Sequence, residues 1–177
     1  IEEAMTRANG TCNTMGTAST MTSIVEAMGL SLAGASSIPA VDSAHERMAA
    51  AAGRRIVDLV WQDLKPSDLL TAATFDNAII TLMALSGSTN AVIHLIAMAG
   101  RLGLDLKLDR FDRIARRTPV LADLRPAGRF LMEDFFHAGG LRALLARVAD
   151  RLDGAMLTVN GRTLGDNIAG ARCWNDD

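Results

Sequence analysis

Hydrophobic residues recur along the early part of the chain with the period of an α-helix. Met21, Ile24, Val25 and Met28 follow the i, i+3, i+4, i+7 spacing of a helix with one buried face. Gly29 follows this stripe directly, and glycine commonly ends a helix because it adopts the left-handed conformation without strain. The pattern therefore predicts a half-buried helix that stops at Gly29.

A longer helix is predicted after the small, turn-rich residues 30–40. Asp42 or Ser43 can cap its N-terminus with a side-chain oxygen, and a Lys-Pro pair ends it after Leu64. The apolar positions that share one face of this helix are Met48, Ala52, Ile56 and Leu59.

The middle of the chain predicts two helices that are apolar on nearly every side. Thr74 is the expected cap of a helix over residues 75–85, and Ser88 is the expected cap of a helix over residues 89–102. Helices that are apolar all round are buried, so both are expected in the core. The polar run SGSTN interrupts this stretch, which excludes a membrane-spanning helix here.

The rest of the pattern predicts shorter elements. They are a helix over residues 109–117, a strand over residues 118–122, helices over residues 130–137 and 141–149, and a hairpin over residues 157–164 around Asn-Gly. Helix gives way to strand and loop near residues 150–160, which predicts a boundary there.

Composition and charge narrow the class of protein. A chain of 177 residues is long enough for one domain with a core, and a net charge of −2 offers no basic surface for nucleic acid. The two cysteines, Cys12 and Cys173, lie far apart in sequence, as is typical of a protein from a reducing compartment.

Cys12 is the main candidate for chemistry. It lies in the polar run GTCNTMGTASTM over residues 10–21, just before a predicted helix. A helix N-terminus favours the thiolate, which is the form that ligates metals or attacks as a nucleophile. Three readings stay open on these grounds: a buried structural cysteine, a metal ligand without its partners, and a nucleophile without a base.

The same run carries a resemblance to the dihydroxy-acid dehydratase/phosphogluconate dehydratase family, and most to its sugar-acid members acting on arabinonate or xylonate. The likeness covers essentially the whole chain. The other segments that carry it are EAMGL (26–30), GASSIPA (34–40), AAAGRRIV (50–57), FDNAI (75–79), GSTNAVIHL (87–95), LRPAGR (124–129) with Asp134, GGL (139–141) and TVNGRTL (158–164). One departure is that the family's usual Gly-Gly before Ser-Thr-Asn reads Ser86-Gly87 here.

The resemblance implies an α/β fold, in which this chain is the helix-rich part of an α/β/α-sandwich N-terminal domain with few short strands. Residues 1–150 are expected to form the later part of that iron–sulfur domain. Residues 151–177 are expected to form a hairpin and linker toward a β-rich C-terminal domain.

The resemblance also implies a chemistry. Cys12 matches the last of three cysteines that hold a [2Fe-2S] (or [4Fe-4S]) cluster, beside a Mg²⁺ ion, in an enzyme that dehydrates a sugar acid or 2,3-dihydroxy acid to the 2-keto-3-deoxy acid. The other cluster cysteines, the magnesium ligands and the serine base fall outside this sequence in the family order. The chain is therefore expected to be an internal fragment, inactive alone, of a cytoplasmic homo-oligomer.

Ser88 and Thr89 are weaker candidates, as substrate-binding residues. A helix cap in a tight turn is the first explanation for them. The second is that this helix N-terminus points into the site and helps to bind an anionic substrate. Cys173 is not expected to be a cluster ligand. The rival for the whole chain is a non-catalytic helical interaction domain whose Cys12 is structural.

Overall fold

A computed structural model of the protein describes residues 13–175. In chain order its helices are α1 (Thr17–Ala27), α2 (Ser43–Trp61), α3 (Pro66–Leu69), α4 (Ala72–Ala84), α5 (Asn90–Arg101), α6 (Leu108–Ala115), α7 (Met132–His137), α8 (Gly140–Arg147) and α9 (Leu164–Ile168), with a 3-10 turn at Ala149–Arg151. The helix-rich character predicted from the sequence is confirmed.

The core is centred on α4, which packs against α1 on one side and α6 on the other. Ile24 and Met28 from α1 and Phe75 and Ile79 from α4 are almost completely buried. Burying an aliphatic or aromatic side chain of this size contributes about 1.5–3 kcal/mol each. This packing therefore fixes the position of α1, and with it the polar turn that precedes α1.

The predicted end of α1 is confirmed. The helix ends at Ala27, and Gly29 takes a φ of +76°. A Cβ at this position would lie 3.0 Å from Thr158 Cγ2, so both the backbone conformation and the close approach of Thr158 require glycine.

Helix α2 begins as predicted, and two of the four residues predicted for its inner face, Met48 and Leu59, do face the protein. Asp42 caps it by accepting a hydrogen bond from Ala44 N at 2.7 Å, and the helix ends at Trp61, before Leu64. The prediction that Ala52 and Ile56 share the inner face is wrong, because both are exposed. The side chains that face the rest of the protein are half-buried and belong to Ala44, Met48, Ala51, Arg55 and Leu59.

The predicted cap of α4 is also wrong. The helix begins at Ala72, and Thr71 caps it by accepting from Thr74 N at 3.4 Å. Thr74 instead lies three residues into a reciprocal capping box, in which Thr71 N donates to Thr74 Oγ1 at 3.1 Å.

Both central helices are predicted to be buried, and this holds for most of α4 but for only one side of α5. In α5 the buried residues are Ala91, Leu95 and Ala99, while Ile93 is 69% exposed. Helix α5 is therefore half-buried, with one apolar side open.

The predicted strand over residues 118–122 is not formed. Leu121 N and Ala122 N both donate to Ala84 O, at 2.9 and 3.2 Å, so this segment bonds to the end of α4 rather than to another strand. Within residues 13–175 the only strand pairings are single bridges, Leu124 with Phe130 and Leu157 with Thr163. The predicted hairpin over residues 157–164 is thus reduced to one bridge around a tight turn.

Among residues 13–175, no helix combines the length and the apolar character needed to cross a bilayer.

Candidate functional site

Cys12 lies outside the described residues, so the site is described from its neighbour Asn13 onward. Asn13 is held at both of its acceptor groups by the start of α7. Its backbone oxygen accepts from Met132 N at 3.1 Å, and its Oδ1 accepts from Glu133 N at 2.9 Å. The first N–H groups of a helix have no hydrogen-bond acceptor within the helix. Here Asn13 supplies the acceptor for two of these N–H groups.

The turn between Asn13 and α1 is fixed by two further contacts. Met15 N donates to Arg125 O at 2.7 Å, and Ser19 Oγ donates to Thr14 O at 2.9 Å. Met15 is itself buried, with 3% exposure. The segment that follows Cys12 is therefore anchored by its backbone and by one core side chain.

The loop whose Arg125 O accepts from Met15 N is closed by an ion pair. Arg129 Nε donates to Asp123 Oδ2 at 2.5 Å, and this hydrogen bond holds the pKa of Asp123 below its ordinary value. The loop contains the LRPAGR segment, so the Cys12 run and this segment lie in contact.

The first turn of α1 also meets the first turn of α5. Thr17 Oγ1 lies 3.0 Å from Ser88 Oγ and accepts from Asn90 Nδ2 at 2.9 Å. Thr20 Oγ1 accepts from Ser88 N at 2.9 Å and donates to Gly16 O at 2.8 Å. The N-termini of two helices are thus joined by hydroxyl and amide groups. We call this contact, formed by Thr17, Thr20, Ser88 and Asn90, the junction.

Close packing at this junction explains a glycine of the sequence motif. A Cβ at Gly87 would lie 2.7 Å from Thr20 Cγ2 and 2.9 Å from Leu82 Cδ1, distances that side chains do not tolerate. Ser86, where the family has its first glycine, takes a φ of +51°, a conformation that glycine adopts without strain.

The two weaker site candidates take different places. The predicted cap of α5 is displaced by one residue: Ser88 precedes the N-cap position, although its Oγ accepts from Asn90 N at 3.3 Å. Thr89 occupies the N-cap position, makes no cap bond with its side chain, and is exposed. The Thr89 hydroxyl is therefore accessible from outside at the start of α5.

The electrostatic character of the junction follows from its two helix ends. Gly16, the N-cap of α1, has no side chain, so no side chain caps that helix. Helix N-termini carry a partial positive charge and bind anions with free backbone N–H groups. The junction therefore suits an anionic group such as a carboxylate or a thiolate.

Metal-binding side chains do not cluster elsewhere in the described part. Within residues 13–175 no three His, Cys, Asp or Glu side chains come together as a metal site. Cys173 is exposed, and its thiol donates to Asn175 O at 2.9 Å. It borders a mostly apolar cavity of about 170 Å³, which Asp123, Leu124 and Phe130 also line.

A buried carboxylate shapes the loop next to α1. Glu26 is 4% exposed and accepts from Gly34 N at 2.6 Å and from Ser36 N at 2.8 Å. Burial raises the pKa of Glu26, and the two backbone hydrogen bonds oppose that effect. Glu26 thus organises residues 30–40, away from the junction.

Sequence reasoning did not identify Asn13, Thr17 and Thr20 as connecting residues. Their partners lie 68 to 120 positions away along the chain, beyond the reach of any local pattern. The only available signal was that each lies in or beside the polar run around Cys12.

Comparisons with known proteins identify the family of the chain. Residues 1–167 match the family model described as "Dihydroxy-acid/6-phosphogluconate dehydratase N-terminal". The chain is 52% identical over 177 residues to a 6-deoxy-6-sulfo-D-gluconate dehydratase of Pseudomonas putida. It is also 52% identical over 178 residues to an L-arabinonate dehydratase of Rhizobium leguminosarum bv. trifolii (strain WSM2304).

A third relative is dihydroxy-acid dehydratase 2 of Acinetobacter baylyi (strain ATCC 33305 / BD413 / ADP1), with 46% identity over 171 residues. These three alignments cover 100%, 99% and 96% of this chain, but 31%, 31% and 30% of the relatives. The chain thus spans about three tenths of the length of the curated relatives it matches.

Proposed function

Because the chain belongs to the dihydroxy-acid/6-phosphogluconate dehydratase family, we propose that it is part of a hydro-lyase that dehydrates a sugar acid to its 2-keto-3-deoxy acid. The observation that carries this proposal is that the segment after Cys12 contacts two other family motifs. It meets the Ser-Thr-Asn turn at the junction, and it bonds to the LRPAGR loop through Met15 N. A sugar acid is favoured over a branched dihydroxy acid, because identity is 52% to the arabinonate and sulfogluconate enzymes and 46% to the dihydroxy-acid enzyme.

We assign Cys12 as one ligand of an iron–sulfur cluster, [2Fe-2S] or [4Fe-4S]. The support is the fixed position of its neighbour Asn13 and the nearby uncapped N-terminus of α1, which favours a thiolate. Residues 13–175 contain no other group of metal ligands, so the remaining cluster ligands and those of Mg²⁺ would come from other parts of the enzyme. When bound, such a cluster supplies a Lewis acid for the hydroxyl group that leaves as water.

The residues of this chain would bind and orient the acid. Ser88 is held by Thr17 and Asn90, while the hydroxyl of Thr89 is exposed at the start of α5. A helix N-terminus with an adjacent hydroxyl is suited to a carboxylate, which every sugar acid carries. We therefore propose that Ser88 and Thr89 contact the substrate, with Thr89 donating from its side chain.

The same proposal covers the architecture of the complete enzyme. Residues 1–150 would belong to an α/β/α-sandwich domain, and residues 151–177 would lead toward a β-rich domain. The enzyme would be a cytoplasmic homo-oligomer acting on a small-molecule acid.

Replacing Cys12 tests the cluster assignment. In the complete enzyme, Cys12→Ser is expected to lose bound iron, the charge-transfer absorbance in the visible range, and dehydration of aldonic acids. Cys173→Ser is the matched control and is expected to retain all three, because its thiol is exposed and belongs to no group of three metal-binding side chains within residues 13–175. Unchanged iron content in Cys12→Ser would refute the assignment.

Replacing Thr89 tests the substrate contact. The side chain makes no cap bond, so Thr89→Ala should leave the fold intact. Loss of one hydrogen bond to a charged group, about 1.5 kcal/mol, corresponds to a KM about tenfold higher. A panel of aldonic acids and dihydroxyisovalerate, assayed for 2-keto product, identifies the substrate. An unchanged KM for the preferred acid would contradict the contact.

A further inference from the structure

The side chain of Asn13 has hydrogen-bonding capacity that its contact with α7 does not use. Its backbone oxygen and its Oδ1 accept from Met132 N and Glu133 N, at 3.1 and 2.9 Å. A carboxamide also carries two N–H donors on its nitrogen. Among residues 13–175 the Nδ2 group of Asn13 has no acceptor, although the side chain is half-buried. This donor is therefore available to a group outside residues 13–175.

The contact with α7 also fixes how the amide of Asn13 is oriented. The backbone N–H of Glu133 bonds only to an acceptor, so the atom that faces it is the oxygen and not the nitrogen. The amide group is planar, and Nδ2 therefore lies on the side turned away from the Glu133 amide. Because Asn13 is held both at its backbone and at the tip of its side chain, the donor keeps this orientation.

The oriented donor belongs to the residue that directly follows Cys12. Consecutive Cα atoms lie about 3.8 Å apart across a trans peptide. An asparagine side chain has only two rotatable bonds, so its amide stays close to its own backbone. The Nδ2 group is thus confined to the neighbourhood of the peptide that joins Cys12 to Asn13.

The run around Cys12 supplies no cation that could balance a metal-bound thiolate. Residues 10–21, GTCNTMGTASTM, contain no Lys, Arg or His, and Asn13 is the one residue among them with an N–H group in its side chain. Hydroxyl groups of the run that already have partners belong to Thr17, Ser19 and Thr20. Proteins tune iron–sulfur clusters through hydrogen bonds to the sulfur atoms. The amide of Asn13 is the side-chain N–H donor that this run offers to such a sulfur.

We propose that Asn13 is a positioning residue for the iron–sulfur cluster. Its Oδ1 anchors the segment after Cys12 to α7, and its Nδ2 donates a hydrogen bond to a sulfur atom of the cluster that Cys12 binds. The inference rests on the proposed function, because it requires Cys12 as a cluster ligand. It gives α7 a part in the surroundings of the cluster, since the first amides of this helix set the orientation of Asn13.

Pulsed electron paramagnetic resonance of the complete enzyme tests the donor directly. Asparagine labelled with ¹⁵N at the side-chain amide is incorporated, and dithionite supplies one electron to the cluster to make it paramagnetic. A coupling between the cluster spin and a ¹⁵N nucleus is expected in the parent enzyme, and its loss is expected in Asn13→Asp. Every other asparagine keeps its label in this variant, so the loss assigns the coupling to position 13.

Two substitutions separate the anchor from the donor. Asn13→Asp keeps an acceptor for Glu133 N but has no N–H group in its side chain. It is therefore expected to retain bound iron and slow deuterium exchange at the amide of Glu133. Asn13→Ala removes both functions, so faster exchange at Glu133 and a lower iron content are expected.

Asn160→Asp is the matched control for the loss of an asparagine amide. The Nδ2 group of Asn160 donates to Asn167 Oδ1 at 2.7 Å, so it already has an acceptor within this chain. The ¹⁵N coupling is expected to be the same in Asn160→Asp as in the parent enzyme.

Three results would overturn the proposal. The first is a parent enzyme whose reduced cluster shows no coupling to a side-chain ¹⁵N. The second is a coupling that persists in Asn13→Asp, because the donor is then another asparagine. The third is an Asn13→Ala enzyme with the exchange rate and iron content of the parent, because the contact with α7 then positions nothing.

Failure of this inference is distinct from failure of the proposed function. If Cys12→Ser keeps its iron, the cluster assignment is wrong and the role of Asn13 falls with it. If Cys12→Ser loses its iron but the parent enzyme shows no ¹⁵N coupling, the cluster assignment stands and only the role of Asn13 is refuted.

Discussion

The hydroxyl of Thr20 is the central connection of the junction, and replacing Thr20 by valine tests how much that connection stabilises the protein. The side chain is fully buried, accepts from Ser88 N at 2.9 Å and donates to Gly16 O at 2.8 Å. Valine preserves the branched shape but removes the oxygen. Leaving a buried N–H without its acceptor costs about 1–3 kcal/mol.

The expected consequence is a measurable loss of stability. For a domain of this size, about 2 kcal/mol lowers Tm by about 4–8 °C. The assay is urea and thermal unfolding followed by circular dichroism. Thr20→Ser is expected to recover most of the loss that is due to the hydrogen bonds, because it restores the hydroxyl group.

Thr22 provides the matched control for this experiment. It lies on the same helix, is exposed, and its hydroxyl donates only to Ala18 O and Ser19 O of its own helix. Thr22→Val is expected to change the free energy of unfolding by no more than about 0.5 kcal/mol. If Thr20→Val and Thr22→Val were equally stable, the junction would not depend on the Thr20 hydroxyl, and the reasoning would be wrong.

Three further outcomes follow from the geometry. Gly87→Ala should destabilise by about 1–3 kcal/mol in chemical unfolding, because its methyl group would overlap Thr20 and Leu82, whereas Gly100→Ala on open helix surface should stabilise by about 0.5–1 kcal/mol. Equal effects would exclude close packing at Gly87. Ser86→Gly should be neutral or stabilising by up to about 1 kcal/mol, since it relieves a φ of +51°; a clear loss of stability would contradict this. Because burial raises the folded-state pKa of Glu26 above its unfolded value, its contribution to stability is greatest at low pH and falls as pH rises from 4.5 through that raised pKa. Unfolding titrations of Glu26→Gln should lack this fall, and identical pH slopes in the two proteins would count against it.

Local signals predicted the helices well where one residue type fixes the backbone. Gly29 ended α1 and Asp42 began α2, because left-handed backbone and a capping carboxylate are properties of single residues. The same reasoning misplaced the cap of α4, since Thr71 and Thr74 have equal chemistry and their positions exchange roles in a capping box.

The sequence could not show which side of an amphipathic helix faces inward. In α2 the inner face includes Arg55, whose donation to Val159 O depends on a segment about a hundred residues away. The predicted strand over residues 118–122 failed for a similar reason, because its amides bond to Ala84 O at the end of α4.

The candidate site was predicted in its parts and not in its assembly. Cys12, Ser88 and Thr89 were chosen from sequence, whereas the contact between Thr17 and Ser88 depends on how α1 and α4 pack. The hydrogen bonds that hold Asn13 likewise depend on the position of α7, which no local pattern encodes.

The two hydrogen bonds that Asn13 receives give this protein built-in reporters. Amides at the start of a short helix normally exchange with solvent deuterium quickly, because they lack partners within the helix. In this protein the amides of Met132 and Glu133 donate to Asn13, so their exchange is expected to be slow only while the segment after Cys12 is docked against α7. Deuterium uptake at these two amides therefore reports whether the segment after Cys12 is docked, without a need for substrate, visible absorbance or turnover.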